Sequence, residues 1–161
     1  MRWAAIARAR ESHFVRVGFG IRYQLFDWFG CEAGRGEQKE LLKYCEKVFY
    51  YKRNSFIKSL FSKTPFIVKS RGNDLLVANL TKDSYPILFE GLHRTLPALE
   101  DRLKDKKIYL RAHNIEHRFY KGLAKSESNT FKRSFFKKES KKLKYYEKII
   151  HKSPKMVITG K

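Results

Sequence analysis

From residue 37 onward the apolar positions change their spacing several times. Leu41, Leu42 and Cys45 recur at helical spacing among good helix formers, which predicts a helix over 37–46. Val48 to Tyr51 is a β-prone run and predicts a short strand. Asn54 is placed to cap a helix carrying Phe56, Ile57, Leu60 and Phe61, which Pro65 would close. Asn73 or Asp74 could cap a second short helix through Leu75, Leu76, Val77 and Leu80. Ile87 to Phe89 is a compact apolar run after Pro86, the pattern of a buried strand. A polar, partly helical stretch follows Gly91 and runs to Lys106. The next strand is expected over 107–112, a helix from Asn114 to Lys125, a long helix from Phe131 to His151, and a last strand over 156–159.

Strands that alternate with helices imply parallel pairing through helical crossovers, hence an α/β fold with an open, mainly parallel sheet and helices on both faces. The first 33 residues read differently. Trp3, Ile6, Phe14, Val17 and Ile21 give a loose helical stripe interrupted by Gly18 and Gly20, and a strand is expected over 23–29. The expected organisation is a basic leader over 1–33 and one domain over 34–161.

The sheet directs attention to two places, because ligands of open α/β sheets sit beyond the carboxyl ends of the strands. One is Phe89-Glu90-Gly91-Leu92-His93. The other is Arg111-Ala112-His113-Asn114-Ile115-Glu116-His117. Each carries a histidine and a glutamate. His113-x-x-Glu116-His117 also has the spacing of an inverted zinc-hydrolase motif. That reading needs both histidines on one helical face. A strand that ends at His113 and a helix that begins at Asn114 separate them. In the structural reading Asn114 caps the helix and Glu116 favours its dipole. In the functional reading the His113 imidazole bonds a hydroxyl or acts as a base near neutral pH. Arg111, two residues back along the strand, is not assigned to a phosphate.

Charge narrows the partners. Lys and Arg number 36 against 16 acids, a formal +20, which predicts attraction to polyanions. Between Arg118 and Lys155 thirteen Lys and Arg stand against three acids, and the long helix lies in this stretch. There Phe135, Phe136, Leu143, Tyr146 and Ile150 form a core-facing stripe, and Lys137, Lys138, Lys141, Lys144 and Lys148 largely cover the other faces. Those lysines are either a solvated outer face or a surface for anionic lipid. Nucleic acid is the weaker partner, since no finger, RNA-binding sheet motif or clear helix-turn-helix occurs. Glu139 falls on the apolar seam, where a carboxylate needs a partner. Two cysteines, Cys31 and Cys45, make no disulfide framework and suit a reducing compartment. The longest apolar runs are far shorter than a bilayer-spanning segment.

Three separated blocks carry a resemblance. Tyr85-Pro-Ile-Leu-Phe-Glu-Gly-Leu-His93, Lys107-Ile-Tyr-Leu-Arg-Ala-His-Asn-Ile-Glu-His-Arg-Phe-Tyr120 and Phe136-Lys-Lys-Glu-Ser-Lys-Lys-Leu-Lys-Tyr-Tyr-Glu147 occur in order. They resemble the N-terminal half of bacterial (Bacteroides-type) family 4-like glycosyltransferases, and residues 34–41 fit the same group. The resemblance covers about residues 34–159. It implies a Rossmann-like domain that is half of a GT-B fold and holds the acceptor of envelope or capsule polysaccharide synthesis. The implied roles are His113 as the catalytic group and Asn114, Glu116, Glu90 and His93 as acceptor-binding residues. Transfer would need no metal and no bound cofactor, and no Asp-x-Asp motif occurs. Nucleotide-sugar would bind only with a C-terminal domain, so the chain is expected to be an incomplete enzyme, inactive alone, truncated or frameshifted. The expected location is the cytoplasm or the inner membrane face. The rival expectation is a basic binding module for anionic lipid or nucleic acid; a zinc hydrolase is the third.

Overall fold

A computed structural model describes the backbone of residues 3–9, 15–18, 45–112 and 114–159, with side chains for Tyr51 and from Arg53 onward. In chain order the elements are β1 (Trp3–Ala9), β2 (Val15–Gly18), β3 (Cys45–Lys52), α1 (Phe56–Leu60), α2 (Phe66–Lys69), α3 (Asp74–Leu80) and β4 (Ile87–Glu90). A 3₁₀ turn (Leu92–Arg94), α4 (Leu96–Leu99), β5 (Ile108–Arg111), α5 (Glu116–Ser126), α6 (Thr130–Lys152) and β6 (Val157–Thr159) follow.

The strands form one sheet in the order β3-β1-β2-β4-β5-β6. β2, β4, β5 and β6 pair parallel, with Ile87 opposite Ile108 and Leu110 opposite Ile158. β1 pairs antiparallel with both β2 and β3. Every strand except β1 therefore runs the same way, and their carboxyl ends share one edge. The chain is α/β, as its alternation implies, but β3 joins the sheet at its edge through one antiparallel partner, β1, rather than a parallel one.

Residues that β-pairing stabilises override several local preferences. Cys45 and Glu46, expected in a helix, lie in β3, because pairing with β1 extends the Val48–Tyr51 run towards its N-terminus and Ala9 registers against Cys45. Trp3, Ile6 and Val17, read as a helical stripe, lie in strands, and Ile6 registers with Val17. β1 and β2 both fall within residues 1–33. The expected helix over 37–44 and strand over 23–29 lie outside the described residues, as does His113.

The core is one-sided. Ile87, Phe89, Ile108 and Leu110 alternate to a single face of the sheet and are all buried. They join one cluster with Ile67 and Val68 of α2, Leu76, Val77 and Leu80 of α3, Leu96 of α4 and Leu143, Tyr146 and Ile150 of α6. Burying each Leu or Ile side chain contributes about 1.5–3 kcal/mol before entropy is charged against it. The opposite face, with Leu88 and Tyr109, is only half-buried. The expected coverage on both faces is thus met on one face by the described helices. Topology supplies the reason: β3 to β4, β4 to β5 and β5 to β6 all step in one direction across the sheet between strands that run the same way, and crossovers of one hand then land on one side.

The helix ends depart from simple capping. Asn73 does cap α3, accepting from the Leu75 and Leu76 N–H groups. Asn54 is not the cap of α1. Ser55 holds that position without a side-chain bond, and the Asn54 amide instead donates to the Lys69 carbonyl at 3.1 Å and to the Gly72 carbonyl. Pro65 does not close α1 but precedes a helix the pattern did not mark, α2. α6 begins at Thr130, capped by the Asn129 side chain.

Two glutamates of α6 supply caps from a distance. Glu139 is buried, accepts the Phe66 N–H at the start of α2, and pairs with Lys142 Nζ at 2.7 Å. Glu147 accepts the His117 N–H at 3.0 Å in the first turn of α5, and its other oxygen accepts from His117 Nδ1. A carboxylate at a helix N-terminus satisfies an orphan donor and complements the dipole. This is the partner that Glu139 needed on the apolar seam.

Candidate functional site at the carboxyl edge of the sheet

β4 and β5 end side by side. Glu90 and Arg111 are opposite in register, and the Gly91 N–H bonds the Arg111 carbonyl at 3.0 Å. Arg111 Nη1 stands 3.7 Å from Glu90 Oε1, ion-pair range with the carboxylate buried and the guanidinium half-exposed. The chain then turns sharply at Gly91, whose φ of 91° favours glycine. A side chain there would also meet the ring of His93, with Cε1 only 2.5 Å from an added Cβ. That turn places His93 and Arg94 in the 3₁₀ segment beyond the strand, both buried. Thr95 follows, and its hydroxyl lies 3.0 Å from Tyr146 Oη of α6.

Two further segments reach the same edge. Arg53 follows β3, and the Asn54 N–H bonds the Ser70 carbonyl at 2.9 Å, which ties this strand end to the loop holding Arg71. Arg71 is buried, with Nη1 donating to the Ile67 carbonyl at 2.6 Å. Glu116 opens α5 beyond β5 and is buried.

Burial and mutual repulsion mark these arginines. Arg94 is pulled down to about 9, first by burial and then by the Arg53 charge. Arg71 is pulled well below the ordinary guanidinium value by burial, then by Arg53 and Arg94, while Tyr120 and Glu116 oppose the shift. Both groups still carry their protons at neutral pH. Burial disfavours the charged form of each, and the neighbouring cations add to that. Tyr120, from the second turn of α5, is pushed up to about 12, chiefly by burial.

The residues expected from the sequence distribute unevenly. Glu90, His93 and Glu116 come together at the edge, buried rather than open to solvent. Asn114 is exposed and is not the cap of α5; Ile115 occupies that position, and Glu147 takes over the capping that Asn114 was expected to provide. His117 faces Glu147 of α6. Lys137, Lys138, Lys141, Lys144 and Lys148 are all exposed. Sequence reasoning passed over Arg53, Arg71 and Arg94. The strand-end rule could have found Arg94, one residue past His93; nothing local marks Arg71, whose place depends on the Asn54 tether.

Chemically, the edge offers a buried carboxylate beside a half-exposed guanidinium, a second buried carboxylate and a buried imidazole. Such groups bond hydroxyls and oxyanions. Comparison with protein-family models, with curated proteins and with solved structures finds no match. Among the described residues no helix is long and apolar enough to cross a membrane.

Proposed function

We propose that the chain is the acceptor-side domain of a glycosyltransferase of GT-B type, with a Rossmann-like sheet whose carboxyl edge receives a sugar. One observation carries this reading: adjacent parallel strands end in Glu90 and Arg111, in register, with His93 and Glu116 directly beyond them. Paired carboxylates and guanidiniums at a strand edge suit the vicinal hydroxyls of a sugar, which need acceptors and donors close together. The resemblance of the three sequence blocks supports the same reading. Transfer requires a donor held beside the acceptor, and a nucleotide-sugar site belongs to a partner domain in this reading.

A second reading is favoured by a separate observation, the exposed lysines of α6, and makes the chain a basic binding module. Titration of the chain with a panel of oligosaccharides, followed by amide and side-chain NMR shifts, separates the two. The transferase reading expects shifts at Glu90, Arg111 and Glu116 that persist in high salt, and no turnover of nucleotide-sugars by the chain alone. Shifts confined to the α6 lysines that vanish with salt would overturn it in favour of the module.

A further inference from the structure

A run of aromatic rings crosses the helical layer. Phe56 of α1 meets Phe66 of α2 edge-on at 5.1 Å, Phe66 meets Phe135 of α6 at 5.9 Å, and Phe135 meets Phe136 at 5.7 Å. These contacts hold α1 and the first turns of α6 on one side of the molecule. Beyond this row of half-exposed rings the same two elements expose further large apolar side chains. Ile57 is 67% exposed, Phe61 81% and Phe131, one turn before Phe135, 86%.

Both stretches of chain are basic in sequence, and the carboxylate that meets the Phe66 N–H, Glu139, is buried. Residues 53–72 hold five basic side chains and no acidic one, and residues 128–138 hold four and none. Lys58, Lys63, Arg133, Lys137 and Lys138 are exposed. Scattered exposed apolar residues are ordinary; three large ones on two elements bridged by the Phe66 ring, along basic stretches of chain, are a patch with a chemistry.

From this juxtaposition we infer that α1 and the start of α6 form a docking surface for an anionic lipid bilayer. Ile57, Phe61 and Phe131 enter the acyl boundary, and Lys58, Lys63 and Arg133 meet the headgroup phosphates. Charge complementarity selects this occupant. A second copy would bring an equal basic surface and a formal +20 against this one. A nucleic-acid strand would stack bases on Phe61 and Phe131 but finds no platform in Ile57, whereas all three suit an acyl boundary. Apolar side chains among cations are what an interfacial helix presents to a charged membrane. The inference stands apart from the transferase reading, since no residue of the carboxyl edge takes part.

The test is cosedimentation of the full chain with vesicles of phosphatidylcholine alone or with about one-third phosphatidylglycerol. Binding is expected only to the anionic vesicles. Ile57→Ser with Phe61→Ser, and separately Phe131→Ser, should each weaken it, the double variant by about tenfold or more. Lys58→Glu with Lys63→Glu should do the same. The control Lys141→Glu with Lys144→Glu changes charge equally on the lysine face of α6 and should cost no more than about twofold. Melting temperatures report that each variant folds, and Phe131→Ser, at a separate exposed site, guards against a misfolded double variant. Full binding by both apolar variants, or a loss in the control as large as in Lys58→Glu with Lys63→Glu, would overturn the assignment. So would a concentration-dependent dimer that the apolar substitutions dissolve, or tighter binding to single-stranded DNA than to the vesicles.

Discussion

The two faces of α6 are built from the same alphabet and behave in opposite ways. Its inner face buries Glu139, Leu143, Tyr146, Glu147 and Ile150; its outer face exposes Lys137, Lys138, Lys141, Lys144 and Lys148. Charge on the outer face meets water and costs little to keep or remove. Charge on the inner face meets helix ends. Glu139 and Glu147, eight residues apart, each satisfy the orphan donors of a separate helix, α2 and α5. The difference teaches that a net charge of +20 says where the molecule is attracted, whereas three or four buried polar groups decide how its helices are joined.

The largest effect should come from breaking the inner face at its buried charge. Glu139→Ala leaves the Phe66 N–H without its acceptor and strands Lys142, which is itself mostly buried. The expected loss is about 3–5 kcal/mol in denaturant unfolding, the range for removing one partner of a buried pair. Glu139→Gln keeps an acceptor for the N–H and loses the ion pair, so it should cost less than the alanine variant. Equal losses would mean that the retained acceptor contributes nothing and that the carboxylate's charge, through Lys142, is what holds α2. A loss below about 1 kcal/mol in both would break the contrast between the faces.

The contrast also explains what was legible in the sequence. Period alone marked α3, β4, β5, α6 and β6 to within a residue or two, because each has a clear apolar face. The outer lysines of α6 were readable for the same reason. The failures share a physical cause: long-range partners replaced local ones. Cys45 follows its β1 partner rather than the helix formers before it. Asn54 bonds a loop 15 to 18 residues away instead of capping α1. Asn114 is spare because Glu147, from another helix, reaches the start of α5. At the candidate site the strand-end rule brought Glu90, His93 and Glu116 into view. It could not show Arg71 or Arg53, which reach that edge only through the Asn54 tether and the strand order. His113 lies outside the described residues, so its role rests on the sequence.

A middle effect is expected where the inner face touches the carboxyl edge. Tyr146 is buried, its hydroxyl lies against that of Thr95, and burial holds its proton well above the ordinary phenol value. Tyr146→Phe keeps the ring and removes one neutral hydrogen bond, so it should cost about 0.5–1.5 kcal/mol. Thr95 retains its bond to the Leu92 carbonyl at 2.7 Å, which limits the damage. Hydrogen exchange across Leu92–Leu99 should quicken if this bond steadies the turn that carries His93 and Arg94. A stability loss with unchanged exchange there would separate the helix contact from the site.

The smallest effect belongs to the outer face. Lys137, Lys141, Lys144 and Lys148 are exposed and recur three or four apart, so like charges sit beside one another along the helix. Each change to Gln should move stability by no more than about 0.5 kcal/mol. Changing all four removes four charges from a formal +20 and relieves self-repulsion, so the melting temperature should hold or rise slightly. Any rise should shrink as salt is added, because exposed charges are screened within about 10 Å at 0.1 M. A drop of more than about 1 kcal/mol would show that these lysines pack or pair as the inner residues do. An unchanged response to salt would show that repulsion along this face was never felt, and the lysines' separation of three and four would then carry no energetic meaning.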